Sequence, residues 1–306
     1  WAKGVNPAGV IPAARSPRVM AAHKQVYDLG LVEWKLDDVL FYAEEEIENI
    51  ELGIKAGLAD NRVQFSGAVY AMDWAHYNQA YTLAFNVDTL AREKGVTSPG
   101  MVQSLGPGDY RLRAQLDLGS ANVHGVEGEV SWFVNENWDF RGTATLQQTE
   151  YETFCDPDGV QTIGLTPTNL VTDGSGVLFN CVSAIGNEFS RQPDLAYSLA
   201  ATYRAPLGGS TGWDLVARLD YRYVGEQWLD NDNYAAMPVS ETLNASINFR
   251  KDNWDIRLFG RNLADNDTPR IITNGTDYNL SAPRRNFNIL PRDPREIGVG
   301  ITYSFE

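Results

Sequence analysis

The residues that can carry chemistry in this chain of 306 residues are few and widely spaced. His23, His76 and His124 have no neighbours at the spacing of a metal site or of a general base. The sequence also has no glycine-rich phosphate loop and no serine nucleophile motif. It therefore predicts a protein that is not an enzyme, with no catalytic residues, no metal site and no cofactor.

Two acidic segments have a composition that is typical of cation-binding loops. Residues 230–233 read DNDN, which alternates carboxylates and amides, but the downstream glutamate of a complete calcium loop is missing. The acids between Asp37 and Glu48 form the second segment. A solvated loop is the favoured interpretation of both, and the sharper hypothesis for the second is that divalent ions join it to lipopolysaccharide.

Aromatic and arginine side chains in polar segments are the candidates for ligand binding. Aromatic stacking and arginine pairing suit a ferric chelate, which is often anionic, and they suit sugars and plant aromatic compounds as well. The candidate residues are Trp34, Tyr42, Trp228, Tyr234, Arg284 and Arg285.

The segments between these candidates alternate apolar and polar residues, which predicts β-strands with one apolar face. In residues 213–223, WDLVARLDYRY, every second residue is apolar and the others include Arg218 and Asp220. Residues 254–262, WDIRLFGRN, follow the same pattern with Phe259 as an exception. Ten such strands are predicted, at about 1–5, 47–58, 62–77, 119–133, 138–151, 192–204, 213–225, 239–250, 254–263 and 295–305.

Lipid is the predicted environment of the apolar face. The strands have about the length that a tilted strand needs to cross a bilayer, and short turns alternate with long polar segments. Tryptophan follows a short turn on three strands, which predicts an aromatic girdle at the membrane interface. The predicted girdle residues are Trp138, Trp213, Trp254, Tyr303 and Phe305. The fold class is therefore an all-β transmembrane antiparallel barrel, and a soluble carbohydrate-binding β-sandwich is the alternative.

The overall charge narrows the possible partners. The chain has 40 acidic and 25 basic residues, for a formal charge of −15. Phosphate binding needs concentrated lysine and arginine, so nucleic acid is excluded as a predicted partner. No apolar stretch reaches the roughly 18 residues of a transmembrane helix.

Several motifs resemble those of TonB-dependent outer-membrane receptors. IELGIK (50–55), GVEGEV (125–130), GRNLADNDTPR (260–270) and PREIGVGITYSF (294–305) are similar to strands of that family, in the same order, and so is KGVNPAG (3–9). The chain ends on Glu306, where the family usually ends on the aromatic residue itself.

The resemblance implies that residues 1–306 are the last ten strands of a barrel of about 22 strands. The expectation is that the plug domain, the contact segment for the TonB complex and the earlier strands are absent from this chain. A complete ten-stranded barrel is the alternative, since outer-membrane barrels have even strand numbers.

The resemblance also implies the function and the location. A receptor of this family lies in the outer membrane of a Gram-negative bacterium, contacts lipid and lipopolysaccharide, and imports a scarce nutrient with energy from TonB. The predicted ligand is a ferric siderophore. A passive porin-like channel and TonB-dependent uptake of a carbohydrate or an aromatic compound are the alternatives.

The two cysteines of the chain, Cys155 and Cys181, lie in one long polar segment. A loop that is exported through an oxidising periplasm favours a disulfide, and no other cysteine competes. The sequence therefore predicts a Cys155–Cys181 disulfide that orders an external loop.

Overall fold

The computed structural model describes residues 1–10, 17–30, 35, 41–42, 44–86, 95, 101–102, 106–107, 109–117, 119–156, 170–172, 178–180, 182–208, 212–277 and 284–305. Its first strands and its one helix are β1 (Ala2–Asn6), β2 (Gly9–Val10), α1 (Pro17–Asp28), β3 (Phe41–Tyr42), β4 (Glu45–Leu58), β5 (Val63–Ala75), β6 (Asn78–Asn86), β7 (Met101–Val102), β8 (Gly106–Pro107), β9 (Asp109–Asp117), β10 (Gly119–Phe133) and β11 (Trp138–Asp156).

The remaining strands are β12 (Leu170–Thr172), β13 (Leu178–Asn180), β14 (Val182–Ser183), β15 (Leu195–Leu207), β16 (Trp213–Val224), β17 (Gln227–Trp228), β18 (Ala236–Met237), β19 (Ser240–Lys251), β20 (Trp254–Arg261), β21 (Ile271–Asp277), β22 (Arg284–Leu290) and β23 (Glu296–Tyr303). No helix in this described part is long and apolar enough to cross a membrane.

Ten strands form one antiparallel sheet in the order β1-β4-β5-β10-β11-β15-β16-β19-β20-β23, and the short β14 pairs with the end of β11. These ten confirm the ten strands that the alternation predicts. β1 and β23 are the two edges of the sheet and are not paired with each other. The described residues thus form an open ten-stranded sheet.

The strand register places apolar side chains beside one another on one surface, here called the apolar face. Leu219 of β16 lies opposite Ala201 on one side and Ala245 on the other. Leu52, Leu219 and Ile301 are 75%, 46% and 64% exposed. The opposite surface, called the polar face, carries residues such as Arg218 and Asn248, because successive side chains of a strand alternate between the faces.

Short turns lie at one edge of the strands, called the turn edge. Between β4 and β5 the residues Ala59, Asp60 and Asn61 have φ values of 53°, 56° and 65°, so three consecutive residues adopt the left-handed conformation. β19 and β20 are joined through Asp252 and Asn253, where Asp252 has φ 48°. The long connections lie at the other edge, called the loop edge. This division confirms the predicted alternation of short and long connections.

The loop edge contains more regular structure than the sequence predicts. Two of the long polar segments, at about 78–110 and 264–293, are interpreted from the sequence as external loops, but they contain the hairpins β6–β9 and β21–β22. β6–β9 continues the pairing of β5 with β10, since the Tyr77 N–H donates to the Gly119 carbonyl over 2.8 Å. Polar composition was a poor indicator of loops, because a strand that extends beyond the membrane-spanning part of the sheet needs no apolar face.

Asn262 holds the end of β20 in the GRNLADNDTPR segment. It is 5% exposed and has φ 47°, and its N–H donates to Asn244 Oδ1 over 2.9 Å. Its Nδ2 donates to the carbonyls of Asn266 and Asp293 over 2.9 and 3.0 Å. Asparagine tolerates the left-handed conformation and also supplies these side-chain bonds, which accounts for this residue at this position.

Candidate ligand-binding site at the loop edge

The most buried aromatic residues lie on the polar face at the loop edge. Ala121 of β10 is paired with Trp74 of β5 and with Tyr151 of β11, so all three share that face. Ring centroids lie 4.1 Å apart for Tyr151 and Phe154, and 4.7 Å apart for Tyr151 and Phe189. The outer aromatic cluster consists of Trp74, Tyr77, Tyr151, Phe154 and Phe189.

A buried carboxylate ties this cluster to the first strands of the sheet. Glu45 is 8% exposed and accepts hydrogen bonds from Trp74 Nε1 over 2.8 Å, from Asn6 Nδ2 over 3.0 Å and from the Asn78 N–H over 3.3 Å. These three donors satisfy the buried carboxylate, which would be costly to bury without partners. Glu45 therefore fixes the orientation of Trp74.

Two loops lie against this cluster and are bonded to each other. They are residues 184–191 and 227–237, here called the paired loops. Asn187 Nδ2 donates to the Asn231 carbonyl over 2.9 Å, and the Tyr151 hydroxyl donates to Asn231 Oδ1 over 3.0 Å. The Arg191 N–H donates to the Trp228 carbonyl over 2.8 Å. Because Tyr151 belongs to the polar face, the paired loops lie over that face of the sheet.

The DNDN segment uses its side chains inside the paired loops. Asn233 Oδ1 accepts from the Glu188 N–H over 2.7 Å, and Asn233 Nδ2 donates to the Glu188 carbonyl over 2.9 Å. Asp230 Oδ1 accepts from the Tyr234 N–H over 3.4 Å. In the described part of the chain no group of three or more His, Cys, Asp or Glu side chains can hold a metal ion. The segment therefore joins two loops, which the interpretation as a solvated loop missed.

Two of the six predicted ligand residues come together in the paired loops. Trp228 is half-buried and its Nε1 donates to Glu188 Oε2 over 2.8 Å, whereas Tyr234 is 64% exposed. Tyr42 lies elsewhere, in the short ladder of β3 with β2. Arg284 and Arg285 lie on β22, opposite Asp277 and Thr276, and only their backbone is described; Trp34 is outside the described residues.

The polar face of the later strands carries ion pairs. Arg218 donates bidentately to Asp220 over 2.9 Å, Arg250 contacts Asp255 over 2.8 Å and Arg261 contacts Glu296 over 3.0 Å. Arg204 pairs with Asp139, whose side chain is 5% exposed. These pairs stabilise charged groups on a surface that no protein layer covers within the described ranges.

Phe259 is the one large apolar residue among these ion pairs. A Cβ atom on Gly298 would lie 2.4 Å from the Phe259 ring, so the ring rests on the glycine of the neighbouring strand. The Arg261 guanidinium lies 4.9 Å from the ring centroid, at the distance of a cation–π contact. Gly298 leaves room for the ring and the Arg261 cation contacts it. These two contacts explain why an apolar residue occurs on the polar face at this position.

The predicted girdle residues lie at the turn edge. Trp138 contacts Tyr203 with ring centroids 4.8 Å apart, and Trp254 contacts Tyr303 at the same separation. Trp213 begins β16 at this edge, and Phe305 is 89% exposed beyond the end of β23. The placement agrees with a girdle, and its contact with the membrane interface stays a prediction.

The predicted disulfide involves Cys181, which is outside the described residues. The backbone of Cys155 pairs with Ser183 in the ladder of β11 and β14. The disulfide therefore stays a prediction.

Sequence reasoning missed Tyr151, Phe189, Glu188 and Asn233 as parts of the site. Tyr151 carried a usable signal, because it ends the predicted strand 138–151 as a large aromatic residue on the polar face. The other three lie in irregular segments, where no periodicity marks a contact between loops that are distant in sequence.

A sheet with one apolar face, short turns at one edge and long connections at the other defines a transmembrane β-barrel protein. The family model described as "TonB dependent receptor-like, beta-barrel" matches residues 40–263. The chain belongs to this family of TonB-dependent receptors, whose barrels are outer-membrane proteins of Gram-negative bacteria.

Solved structures support the same fold. The chain is similar to the ferric yersiniabactin uptake receptor FyuA from Yersinia pestis, with a TM-score of 0.59 and 16% identity over 100% of this chain and 34% of that one. It is similar to the siderophore receptor PiuA from Acinetobacter baumannii, with a TM-score of 0.52 and 14% identity over 86% of this chain and 29% of that one. The chain thus spans about a third of the length of these receptors.

Proposed function

We propose that residues 1–306 form the C-terminal part of the barrel of a TonB-dependent receptor, with a plug domain and earlier strands before Trp1. We also propose that the whole receptor imports a ferric siderophore across the outer membrane. The family match supports the receptor class. The names of similar structures, a ferric yersiniabactin uptake receptor and a siderophore receptor, support the ligand class.

The observation in this chain that carries the proposal is the pair of loops fixed over the polar face. In a barrel the polar face lines the lumen, because the apolar face contacts lipid. The paired loops then lie at the mouth of the lumen, where Trp228 and Tyr234 are available to a ligand. The hydrogen bond from Trp228 Nε1 to Glu188 fixes the indole ring before binding, which reduces the entropy lost on binding.

The proposed mechanism is binding in two conformations rather than covalent chemistry. The receptor binds the ligand tightly at the mouth, and force from the TonB complex on the plug then favours a state with weak binding. The ion pairs of the polar face, such as Arg218–Asp220, are the surface that we propose for the plug. Outer-membrane lipid and lipopolysaccharide contact the apolar face and the girdle.

Uptake of an iron-55-labelled siderophore by cells that express the full-length receptor tests this function. We expect accumulation under iron limitation that stops when the gene for TonB is deleted. Changing both Trp228 and Tyr234 to alanine should lower uptake at limiting ligand, and Val239→Ala, outside the paired loops and 40% exposed, should not. Uptake that persists without TonB indicates a passive channel, and uptake of sugars in place of iron chelates rejects the ligand class.

A further inference from the structure

We propose that Glu188 and Trp228 form a subsite for a cationic group of the ligand, such as an ammonium or a guanidinium. The proposal rests on the proposed function, because it places this subsite at the mouth of the receptor. The sequence analysis favours an anionic chelate that arginine residues bind, whereas this subsite favours a ligand with a cationic group.

The hydrogen bond from Trp228 brings no positive charge to the Glu188 carboxylate. Trp228 Nε1 donates to Glu188 Oε2 over 2.8 Å, so the carboxylate lies at the edge of the indole ring. No lysine, arginine or histidine of the described residues forms an ion pair with Glu188. A half-buried carboxylate without a cation favours a ligand that brings one.

The indole ring contributes to the same preference. The face of an indole attracts a cation through the ring quadrupole, and tryptophan is the strongest of the aromatic side chains in this respect. The hydrogen bond from Nε1 to a carboxylate polarises the ring in the direction that strengthens this attraction. A cation over the ring and beside Glu188 therefore gains from both groups at once.

The position of Glu188 is fixed before any ligand binds. Asn233 bonds both the N–H and the carbonyl of Glu188, over 2.7 and 2.9 Å. The Trp228 carbonyl accepts from the Arg191 N–H, which fixes the second loop against the first. Neither partner of the subsite has to move toward the other, so binding costs little reorganisation.

The charges of the paired loops act in the same direction. The loops contain Glu188, Asp230 and Asp232 and one basic residue, Arg191. The Arg191 guanidinium donates to the Ile272 carbonyl over 3.2 Å, toward the β21–β22 hairpin. Within the paired loops acidic residues outnumber basic ones, which favours a cationic group over an anionic one.

A matched pair of ligands isolates the charge. The first is a ferric trihydroxamate that carries one free ammonium group, and the second is the same chelate after acetylation of that amine. Equilibrium binding to the purified full-length receptor should favour the ammonium form by about tenfold. A ferric tricatecholate, which is strongly anionic, should bind more weakly than either.

Glu188→Gln separates charge from orientation. The amide oxygen of glutamine still accepts from Trp228 Nε1, so the ring keeps its position while the charge is lost. We expect the preference for the ammonium form to disappear in this variant. Glu152→Gln is the control, because Glu152 accepts from Asn122 Nδ2 on the opposite side of the same edge of the sheet and should leave the preference unchanged.

Two results would overturn the subsite: an unchanged preference in Glu188→Gln, or no preference for the ammonium form in the unaltered receptor. Failure to bind any ferric chelate would instead overturn the proposed function. The subsite is then tested without iron, by titrating butylammonium or butyrate into receptor labelled with nitrogen-15 tryptophan. A shift of the Trp228 Nε1–H resonance that butylammonium causes, and that Glu188→Gln abolishes, supports the subsite; an equal shift with butyrate rejects it.

Discussion

The part of the ten-stranded sheet that carries the apolar face, here called the band, is stabilised differently from the loop edge. In the band, apolar residues such as Leu52 and Leu219 are 75% and 46% exposed, and no second protein layer covers them within the described part. At the loop edge, Tyr151, Phe154 and Leu229 are 2%, 3% and 5% exposed. One region thus needs an apolar solvent, whereas the other buries its own apolar side chains.

The difference shows that this sequence encodes two solutions to the burial of apolar surface. In the band, strand-to-strand hydrogen bonds satisfy the backbone, and we expect lipid to cover the apolar face, as a barrel in a membrane requires. At the loop edge water is present, so side chains must be buried against one another. Variants in the two regions should therefore respond differently to a change of the surrounding lipid.

The largest expected effect is that of Tyr151→Ala in the outer aromatic cluster. Removing a buried aromatic side chain costs about 3–5 kcal/mol, because it leaves a cavity that the neighbours only partly fill. Urea unfolding of the receptor in lipid vesicles should show this loss. The loss should be the same in bilayers of different thickness, because the site lies outside the band.

Tyr151→Phe is the control for this variant. It keeps the ring and removes only the hydroxyl that donates to Asn231 over 3.0 Å. The expected loss is about 0.5–1.5 kcal/mol. Equal losses for alanine and phenylalanine would show that the ring is not part of a packed core.

The predicted disulfide tests the same difference between the two regions. Cys155 lies at the loop edge, where lipid cannot order the chain. The disulfide would close a loop of about 27 residues, which the chain-entropy model values at about 3–4 kcal/mol. We expect no reactive thiol in the denatured, unreduced protein and a lower stability for Cys155→Ser. Two thiols that react with Ellman's reagent before reduction would exclude the disulfide.

Leu219→Arg tests the band directly. Arginine on the lipid-facing side at mid-bilayer costs about 2–4 kcal/mol, because its charge enters hydrocarbon. Asn248→Arg, on the polar face, should cost little, since that side chain meets water or other polar groups. Unfolding of the two variants in the same vesicles measures the difference, and equal losses would reject the assignment of the faces.

The smallest expected effect is that of Arg218→Gln on the polar face. The pair of Arg218 with Asp220 is about 40% exposed, and exposed ion pairs contribute about 0.2–1 kcal/mol. The loss should shrink further at high salt, because ions screen the attraction. A loss above 2 kcal/mol by the same unfolding measurement would mean that the pair is shielded from solvent, as the proposed contact with the plug would cause.

The sequence was sufficient for the strands of the sheet because most of them alternate over much of their length, whereas β1 was identified by the resemblance of KGVNPAG. The start of β16 at Trp213 and the turn at Ala59–Asn61 follow from that pattern and from the turn residues. The hairpin β6–β9 was not predicted, because Asn78–Asn86 lies in a segment that was judged by its polarity. A strand outside the membrane does not have to show an apolar face, so composition alone cannot identify it.

The candidate site was predictable only in part. Trp228 and Tyr234 were chosen as aromatic residues in a polar segment, and the structure places both in the paired loops. Glu188, the hydrogen-bond partner of Trp228, is 40 residues away in sequence, and the contact depends on how two loops fold back over the sheet. No local pattern encodes such a contact, because it is determined by packing against Tyr151.

The order of the strands in the sheet has a consequence for how the chain folds. The ten strands of the sheet lie beside one another in the order in which they occur along the chain. Two of the long connections are shortened by the hairpins β6–β9 and β21–β22, which bring β5 near β10 and β20 near β23 before those strands pair. The entropy of loop closure is then lost in smaller steps, which favours sequential assembly from one hairpin to the next.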